Sequence, residues 1–249
     1  QINYMGGTGY GGDISISKFN PTGSSLLYST YLGGSGNESA ESIIVDNLGE
    51  LVIFGRTHSV DFPITSGAFQ TFNAGNFDLV VTKLNATGTA LNASTYLGGT
   101  QDEGVNGGVF LGGLHYNYSD DLRGSVIVAA SNNVYIASNT ISSNFPVTSG
   151  CFQSSLSGIQ DACIAKLNPS LSGLIFSTYF GGSSDDGAYN IALNTNNQLY
   201  VTGGTNSSDF YTTAGSFHPS AQGGVDGFLS LFSFNGNFVQ ASTYIGTAQ

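Results

Sequence analysis

The chain has 249 residues, of which 40% are hydrophobic, 12% aromatic and only 8% charged. Its 16 acidic and 5 basic residues give a net charge of −11, and so few cations cannot neutralise a row of phosphates, which excludes nucleic acid as a partner. No stretch approaches the roughly 18 consecutive apolar residues of a membrane-spanning helix, so we expect no membrane span.

A repeat of 65 residues organises the sequence. The string Ser-Thr-Tyr begins at Ser29, Ser94, Ser177 and Ser242, at spacings of 65, 83 and 65 residues. A single aspartate recurs at the same spacings, as Asp13, Asp78, Asp161 and Asp226. The middle spacing contains 18 extra residues, which fall around 105–124. Such self-similarity is the signature of an array of supersecondary units.

Each complete unit contains four predicted strands, separated by turns rich in Asn and Gly, which tolerate the positive φ of tight hairpins. The chain begins just before a third strand, near 12–16, and ends on a fourth. The first strands are predicted at 42–46, 125–129 and 190–194, and the second at 51–57, 134–140 and 199–205. The third strands are predicted at 78–85, 161–168 and 226–233, and the fourth at 90–97, 174–180 and 239–245.

Four antiparallel strands per unit without helical periodicity are typical of a β-propeller blade. The sequence therefore predicts an all-β protein with fourteen strands, or about three and a half four-stranded blades. It divides into a half blade (1–34), a blade (35–99), a blade with the insertion (100–182) and a blade (183–249). Because propellers avoid open strand edges, we expect another protein chain, or the remainder of a larger chain, to complete the ring. The alternative is a four-bladed ring with one defective blade.

The repeated strings resemble a known family. The best unit reads Asp-Phe-Pro-Ile-Thr-Ser-Gly-Ala-Phe-Gln at 61–70, Lys-Leu-Asn at 83–85 and Ser-Thr-Tyr-Leu-Gly-Gly at 94–99, and it resembles the SBBP β-propeller repeat. The third copy departs from the pattern, with Tyr211 in place of proline and Leu231 in place of lysine. The resemblance implies a secreted or surface-exposed bacterial or archaeal protein, with many relatives in the Bacteroidota, and implies no single catalytic activity.

Acidic residues after the Gly-Gly turns are the candidate metal ligands. They are Asp102, Glu103, Asp185 and Asp186, with Glu38 and Glu41 in the preceding unit. Carboxylates beside carbonyl-rich turns suit Ca²⁺, which takes six to eight oxygen ligands. The spacing of a dedicated calcium loop is absent from the sequence, and the competing interpretation is solvated turns on an acidic surface. A structural Ca²⁺ is the only cofactor considered.

The repeated aspartates are predicted to be structural, because a catalytic site is usually asymmetric whereas a structural role recurs in every unit. An aspartate at a strand entry is expected to accept hydrogen bonds from nearby backbone amides. The equally repeated tyrosines are predicted to pack between blades: Tyr31, Tyr96, Tyr179 and Tyr244.

The insertion is the most individual segment. It carries the candidate ligand-binding residues His115, Tyr116, Tyr118, Asp120 and Asp121. Aromatic faces beside carboxylates suit sugar stacking or a protein contact. The alternative is a loop that packs on its own blade.

Cys151 and Cys163 are the only cysteines and fall in the same unit. An even count in an exported protein suggests a disulfide, while two buried free thiols are the alternative, since Cys163 lies in an apolar strand.

These observations predict a non-enzymatic, exported interaction or structural module that serves adhesion, assembly or secretion. The alternative is a propeller that binds or processes carbohydrate, with glycans as ligands at the insertion and the acidic loops.

Overall fold

The computed structural model describes residues 3–6, 12–105 and 123–247. In these ranges fourteen β-strands form one two-stranded and three four-stranded antiparallel sheets, which confirms the predicted all-β class and the four-stranded units. Within the described ranges no sheet closes on itself, and no helix there is long and apolar enough to cross a membrane.

The sheets follow chain order, and each strand pairs with its neighbour in sequence. Sheet I contains β1 (Ile14–Phe19) and β2 (Leu26–Leu32). Sheet II contains β3 (Glu38–Val45), β4 (Leu51–Thr57), β5 (Asp78–Leu84) and β6 (Leu91–Leu97). Sheet III contains β7 (Ser125–Val128), β8 (Val134–Thr140), β9 (Asp161–Leu167) and β10 (Leu174–Phe180). Sheet IV contains β11 (Asp186–Leu193), β12 (Leu199–Thr205), β13 (Asp226–Phe232) and β14 (Val239–Ile245).

The hairpin turns have the chemistry expected from the sequence. Gly49, Asn132 and Asn197 occupy equivalent turns between the first and second strands, at φ of 78°, 59° and 56°. Glycine adopts this left-handed region without steric cost, and asparagine tolerates it better than most residues. The second strands consequently begin and end where they were predicted to.

Two of the three first strands, β3 and β11, begin earlier than predicted because a β-bulge divides them, whereas β7 begins at Ser125 as predicted. Register shifts fall between Ala40 and Ser42 in β3 and between Ala188 and Asn190 in β11. A bulge reverses the alternation of buried and exposed residues. The sequence pattern therefore predicts only the part of the strand that follows the bulge. In sheet III the insertion enters at this bulge, and Glu103 before it still forms an isolated bridge to Thr140.

The sheets stack face to face in chain order, with an apolar core at each junction. Sheets I and II share a core that includes Ile14, Ile16, Val80 and Tyr96. Sheets II and III share Val52, Phe54, Val126 and Ile136, and sheets III and IV share Tyr135, Ile164, Ile191 and Phe228. The central strands, such as β5 and β9, are buried along their whole length, which is why apolar residues occur consecutively in them, as at 79–81 and 162–165, rather than in alternation.

Candidate functional site

Each junction between sheets carries a pair of carboxyl groups, which are buried except for the half-buried Asp13. One belongs to the repeated aspartate that opens a third strand, and the other to the acidic residue that opens the first strand of the next sheet. We call them the junction carboxylates; the pairs are Asp13 and Glu38, Asp78 and Glu103, and Asp161 and Asp186. The position that a Cβ on Gly98 would occupy lies 2.5 Å from Asp78 Oδ1 and 2.5 Å from Glu103 Oε2, so these oxygens are within about 5 Å of each other. The glycine leaves the space that the pair requires.

Donors from two segments surround Glu103. Its Oε1 accepts a hydrogen bond from Thr140 Oγ1 at 2.7 Å, and its Oε2 accepts one from the Gly99 amide at 3.0 Å. Burial raises the pKa of Glu103 to about 8, against the opposing effect of hydrogen bonds from Ser142 and Thr140. The group is therefore protonated near neutral pH and links a Gly-Gly turn to the end of β8.

Asp186 occupies the same place at the next junction. Its Oδ2 accepts hydrogen bonds from the Gly182 amide at 2.7 Å and from Ser207 Oγ at 2.8 Å. Burial raises the pKa of Asp186 to about 7 and also raises the pKa of the adjacent Asp185. Glu103, Asp185 and Asp186 are all buried, so the interpretation of these residues as solvated turns is wrong, and only Asp102 is half-buried.

The calcium hypothesis gains no support from this geometry. In the ranges that the structure describes, no group of three or more His, Cys, Asp or Glu side chains is placed to hold a metal ion. The oxygens of Glu103 already accept hydrogen bonds from N–H and O–H donors, which point toward the place where a cation would bind. Binding of Ca²⁺ by Asp102, Glu103, Asp185 and Asp186 stays a prediction.

The repeated aspartates accept backbone amides, as predicted. Asp78 Oδ2 accepts the Ala74 amide at 2.8 Å and Gln70 Nε2 at 2.9 Å. Asp161 makes the equivalent bonds with the Ser157 amide and Gln153 Nε2. Each aspartate therefore holds the end of the long loop that precedes its strand.

The Asp-Phe-Pro string fastens each long loop to the preceding sheet. Asp61 Oδ1 accepts the Ser35 amide at 2.8 Å and Ser35 Oγ at 2.9 Å, and the amide bond in particular lowers the pKa of Asp61. The same two bonds join Asn144 to Thr100 and Asp209 to Ser183. The phenylalanine packs on the repeated tyrosine, as Phe62 does on Tyr96 with ring centroids 6.2 Å apart.

The tyrosines confirm their predicted packing role in three of four units. Tyr96, Tyr179 and Tyr244 are each 1% exposed and lie in the cores between sheets. The Tyr96 hydroxyl donates to the Ser59 carbonyl at 2.8 Å and accepts the Phe62 amide at 3.0 Å. Tyr31, in the two-stranded sheet, is 39% exposed.

A less symmetric cluster lies at the base of the insertion. Glu41 occupies the bulge of β3, and both of its carboxylate oxygens are buried without a hydrogen-bond partner. A Cβ on Gly104 would lie 2.9 Å from one oxygen, and a Cβ on Gly124 would collide with the other. Burial raises the pKa of Glu41 to about 8, against the opposing charge of Arg56. Arg56 lies over the ring of Phe77, 4.5 Å from its centroid.

The insertion itself lies outside the described residues, and with it the candidate binding residues His115, Tyr116, Tyr118, Asp120 and Asp121. The structure defines where it attaches: after Val105 and before Arg123, whose guanidinium lies 4.2 Å from the centroid of the Tyr189 ring. Glycan binding by the insertion stays a prediction.

The two cysteines are free thiols, so the predicted disulfide is wrong; the alternative of two buried thiols is correct for Cys163, whereas Cys151 is half-buried. Cys163 points into the core between sheets II and III, where burial raises the pKa of its thiol well above the usual range. Cys151 lies in the loop between β8 and β9, and its thiol donates to the Gln153 carbonyl at 3.4 Å. Strand alternation directs the Cys163 side chain into that core.

The face of sheet IV that is turned away from sheet III is uncovered within the described residues. We call it the terminal face. Leu229 on this face is 39% exposed, whereas the equivalent Val81 and Ile164 in sheets II and III are fully buried by the following sheet. Tyr200 is 37% exposed, against 1% for the equivalent Tyr135, and Phe217 is 83% exposed. Large apolar side chains at buried repeat positions thus meet solvent here.

A scan of the chain against protein-family models finds no match, and a search of curated proteins finds no significant relative.

Proposed function

We propose that the chain is a non-enzymatic interaction and structural module, a β-propeller segment of the SBBP repeat type within a cell-surface or secreted protein. The resemblance of the repeat strings supports the family and the location. The low content of charged residues and the abundance of Gly, Ser, Thr and Asn also suit an extracellular surface. The face-to-face stacking of four-stranded sheets in chain order is compatible with the blades of a propeller.

The terminal face of sheet IV carries the functional part of the proposal. In sheets II and III, the side chains at the same repeat positions are buried against the next sheet. In sheet IV these side chains are exposed. Contiguous apolar surface of this kind marks an interaction site on a soluble protein. A sheet of the same repeat type matches it, because sheets III and IV already cover the equivalent faces in this way.

The test is photo-crosslinking from the terminal face in the native source. A photoreactive residue is placed at Leu229, and a matched control places it at Val60, which is 78% exposed on a loop. We expect crosslinks from position 229 alone, to polypeptide that carries the Ser-Thr-Tyr-Leu-Gly-Gly string, and an intact native mass above 25.7 kDa. A native polypeptide of 25.7 kDa that is monomeric and forms no crosslink from position 229 would refute the proposal.

A further inference from the structure

The open edge of β1 is the second incomplete feature. In sheets II, III and IV the third strand is paired on both sides, as β5 is with β4 and β6. β1 is the equivalent third strand, because Asp13 precedes it as Asp78 begins β5. Within the described residues β1 pairs with β2 alone. One side of its backbone therefore presents unpaired N–H and C=O groups, a template for another strand.

The first strand of sheet II lacks the cover that its counterparts have. β11 lies against the first three strands of sheet III. In the described part of sheet I, by contrast, the strand that lies against β3 is β1. Ile43 on β3 is consequently 58% exposed, while the equivalent Val126 and Ile191 are 5% and 7% exposed. The side chains that cover Val126 include Val52 and Phe54 of the preceding sheet.

A groove runs between β1 and β3 where those missing side chains would lie. Its volume is about 460 Å³. It is lined mainly by apolar side chains, among them Ile14, Ile16, Ile43 and Val45, and Lys18 lies at its rim. On sheet I, Tyr31 is 39% exposed, and the Tyr4 ring lies against it with ring centroids 6.1 Å apart. The open edge and the groove lie where one hairpin belongs.

We propose that the open edge of β1 is a docking site for a β-hairpin with the pattern of the repeat's own first and second strands, supplied by polypeptide outside these 249 residues. This inference rests on the proposed function and names the partner at this end of the stack. Strand addition to a sheet edge gains affinity from main-chain hydrogen bonds and specificity from alternate side chains.

The repeat fixes the register of the incoming hairpin. Phe54 pairs with Val81 and Thr57 with Asp78 across β4 and β5. The second strand of the hairpin should accordingly place a bulky apolar residue opposite Ile16 and a threonine opposite Asp13. A bulky apolar residue at this Phe54-equivalent position would cover Ile43.

The experiment adds the hairpin to the full chain. The extended chain carries a copy of residues 36–69 fused directly before Gln1, and it is compared with the unmodified chain by hydrogen–deuterium exchange. We expect amide exchange in β1 to slow by about 100-fold or more. In a matched extension that carries Phe54→Lys in the added copy, we expect exchange close to that of the unmodified chain.

A second arm supplies the hairpin as a separate peptide of residues 36–58. Isolated hairpins are only marginally stable, so we expect weak, saturable binding by fluorescence anisotropy and its loss in the Ile43→Lys protein. Fast β1 exchange in the extended chain overturns the proposal. So does protection of β1 in the unmodified chain that depends on protein concentration, since a second copy would then cover the edge. The crosslinking test concerns the opposite end of the stack, so its outcome is independent of both arms.

Discussion

Two buried lysines occupy equivalent positions in the repeat but have different surroundings. Lys83 Nζ lies 3.0 Å from Asp46 Oδ2 and 3.7 Å from Glu50 Oε2. Lys166 lies over the rings of Tyr135 and Phe234, 4.9 and 3.9 Å from their centroids. In sheet IV the equivalent position is Leu231. We therefore predict that Lys83→Leu is strongly destabilising and that Lys166→Leu is not.

The size of the destabilisation depends on whether the substitution leaves a buried carboxylate without its partner. Burial alone would raise the pKa of Asp46, but hydrogen bonds from Lys83 and from the Glu50 and Leu48 amides outweigh it and hold the pKa below its usual value. Removing one partner of a buried ion pair costs about 3–5 kcal/mol. Asp46 keeps its hydrogen bonds from two backbone amides, both 2.9 Å. We therefore expect Lys83→Leu to lower the free energy of unfolding by about 3 kcal/mol.

Lys166→Leu leaves no carboxylate without its partner, because Ala129 stands where Asp46 stands in sheet II. The lost cation–π contacts are worth about 0.5–2 kcal/mol. Burial already lowers the pKa of Lys166, which shows that the ammonium form is disfavoured there. The two effects oppose each other, so the free energy of unfolding should change by less than about 1 kcal/mol.

Urea unfolding at neutral pH, followed by tyrosine fluorescence, measures both changes from the midpoint and slope. The matched control is a double variant that combines Asp46→Asn with Lys83→Leu. It reproduces the pair formed by Asn194 and Leu231 at the equivalent positions of sheet IV. There Asn194 Oδ1 accepts two backbone amides at 2.9 and 3.0 Å. The double variant should recover most of the stability. Equal losses in the two single leucine variants, or no recovery in the double variant, would refute the reasoning.

Three further predictions concern the junctions and the insertion. Burial raises the pKa of Glu41 from 4.5 to about 8, so its contribution to stability should be complete below about pH 4.5 and be lost as the pH rises through about 8. Glu41→Gln should therefore reduce the fall in urea midpoint between pH 6 and 9, and Asp61→Asn should not. Gly98→Ala places a Cβ 2.5 Å from two carboxylate oxygens and should lower the free energy of unfolding by about 1–3 kcal/mol or more. The matched control is Gly173→Ala, whose Cβ would have its nearest neighbour at 3.6 Å. Equal shifts of the melting temperature in the two variants would contradict this prediction. Deleting residues 105–122 should preserve the circular dichroism spectrum and abolish any glycan binding seen on an array, and a lack of binding by the intact chain would remove the glycan hypothesis.

The sequence was sufficient to predict strands where local chemistry and burial agree. β4, β8 and β12 match their predicted bounds because apolar runs follow turns of Asn and Gly with positive φ. β3 and β11 were predicted to begin too late, since the bulges at Glu41 and Tyr189 break the alternation on which the prediction depends. A local pattern does not show that two out-of-phase halves belong to one strand.

The larger error was the expectation that Glu103 and Asp186 lie in solvated turns, since both are buried. An acidic residue after two glycines usually indicates a solvated turn, and the donors that make burial tolerable come from a strand about 20 to 40 residues away in the chain. A signal was nevertheless present. Acidic residues recur at 38, 103 and 186 with the period of the repeat, and Thr-x-Ser recurs at 57–59, 140–142 and 205–207. Two polar patterns that share one period indicate a contact between them.

The same junction geometry explains why we propose the ends of the stack as the interaction surfaces. In an array of repeats each unit is stabilised mainly by its nearest neighbours, so sheets II and III have two such contacts while sheets I and IV have one. A partner that covers β1 or the terminal face adds the missing contact, and its binding free energy then adds to the stability of the outermost sheet. The apolar residues exposed at these ends are retained at positions that are buried elsewhere in the repeat. Binding and folding therefore depend on the same surfaces, and substitutions there should weaken partner binding more than they weaken the isolated chain.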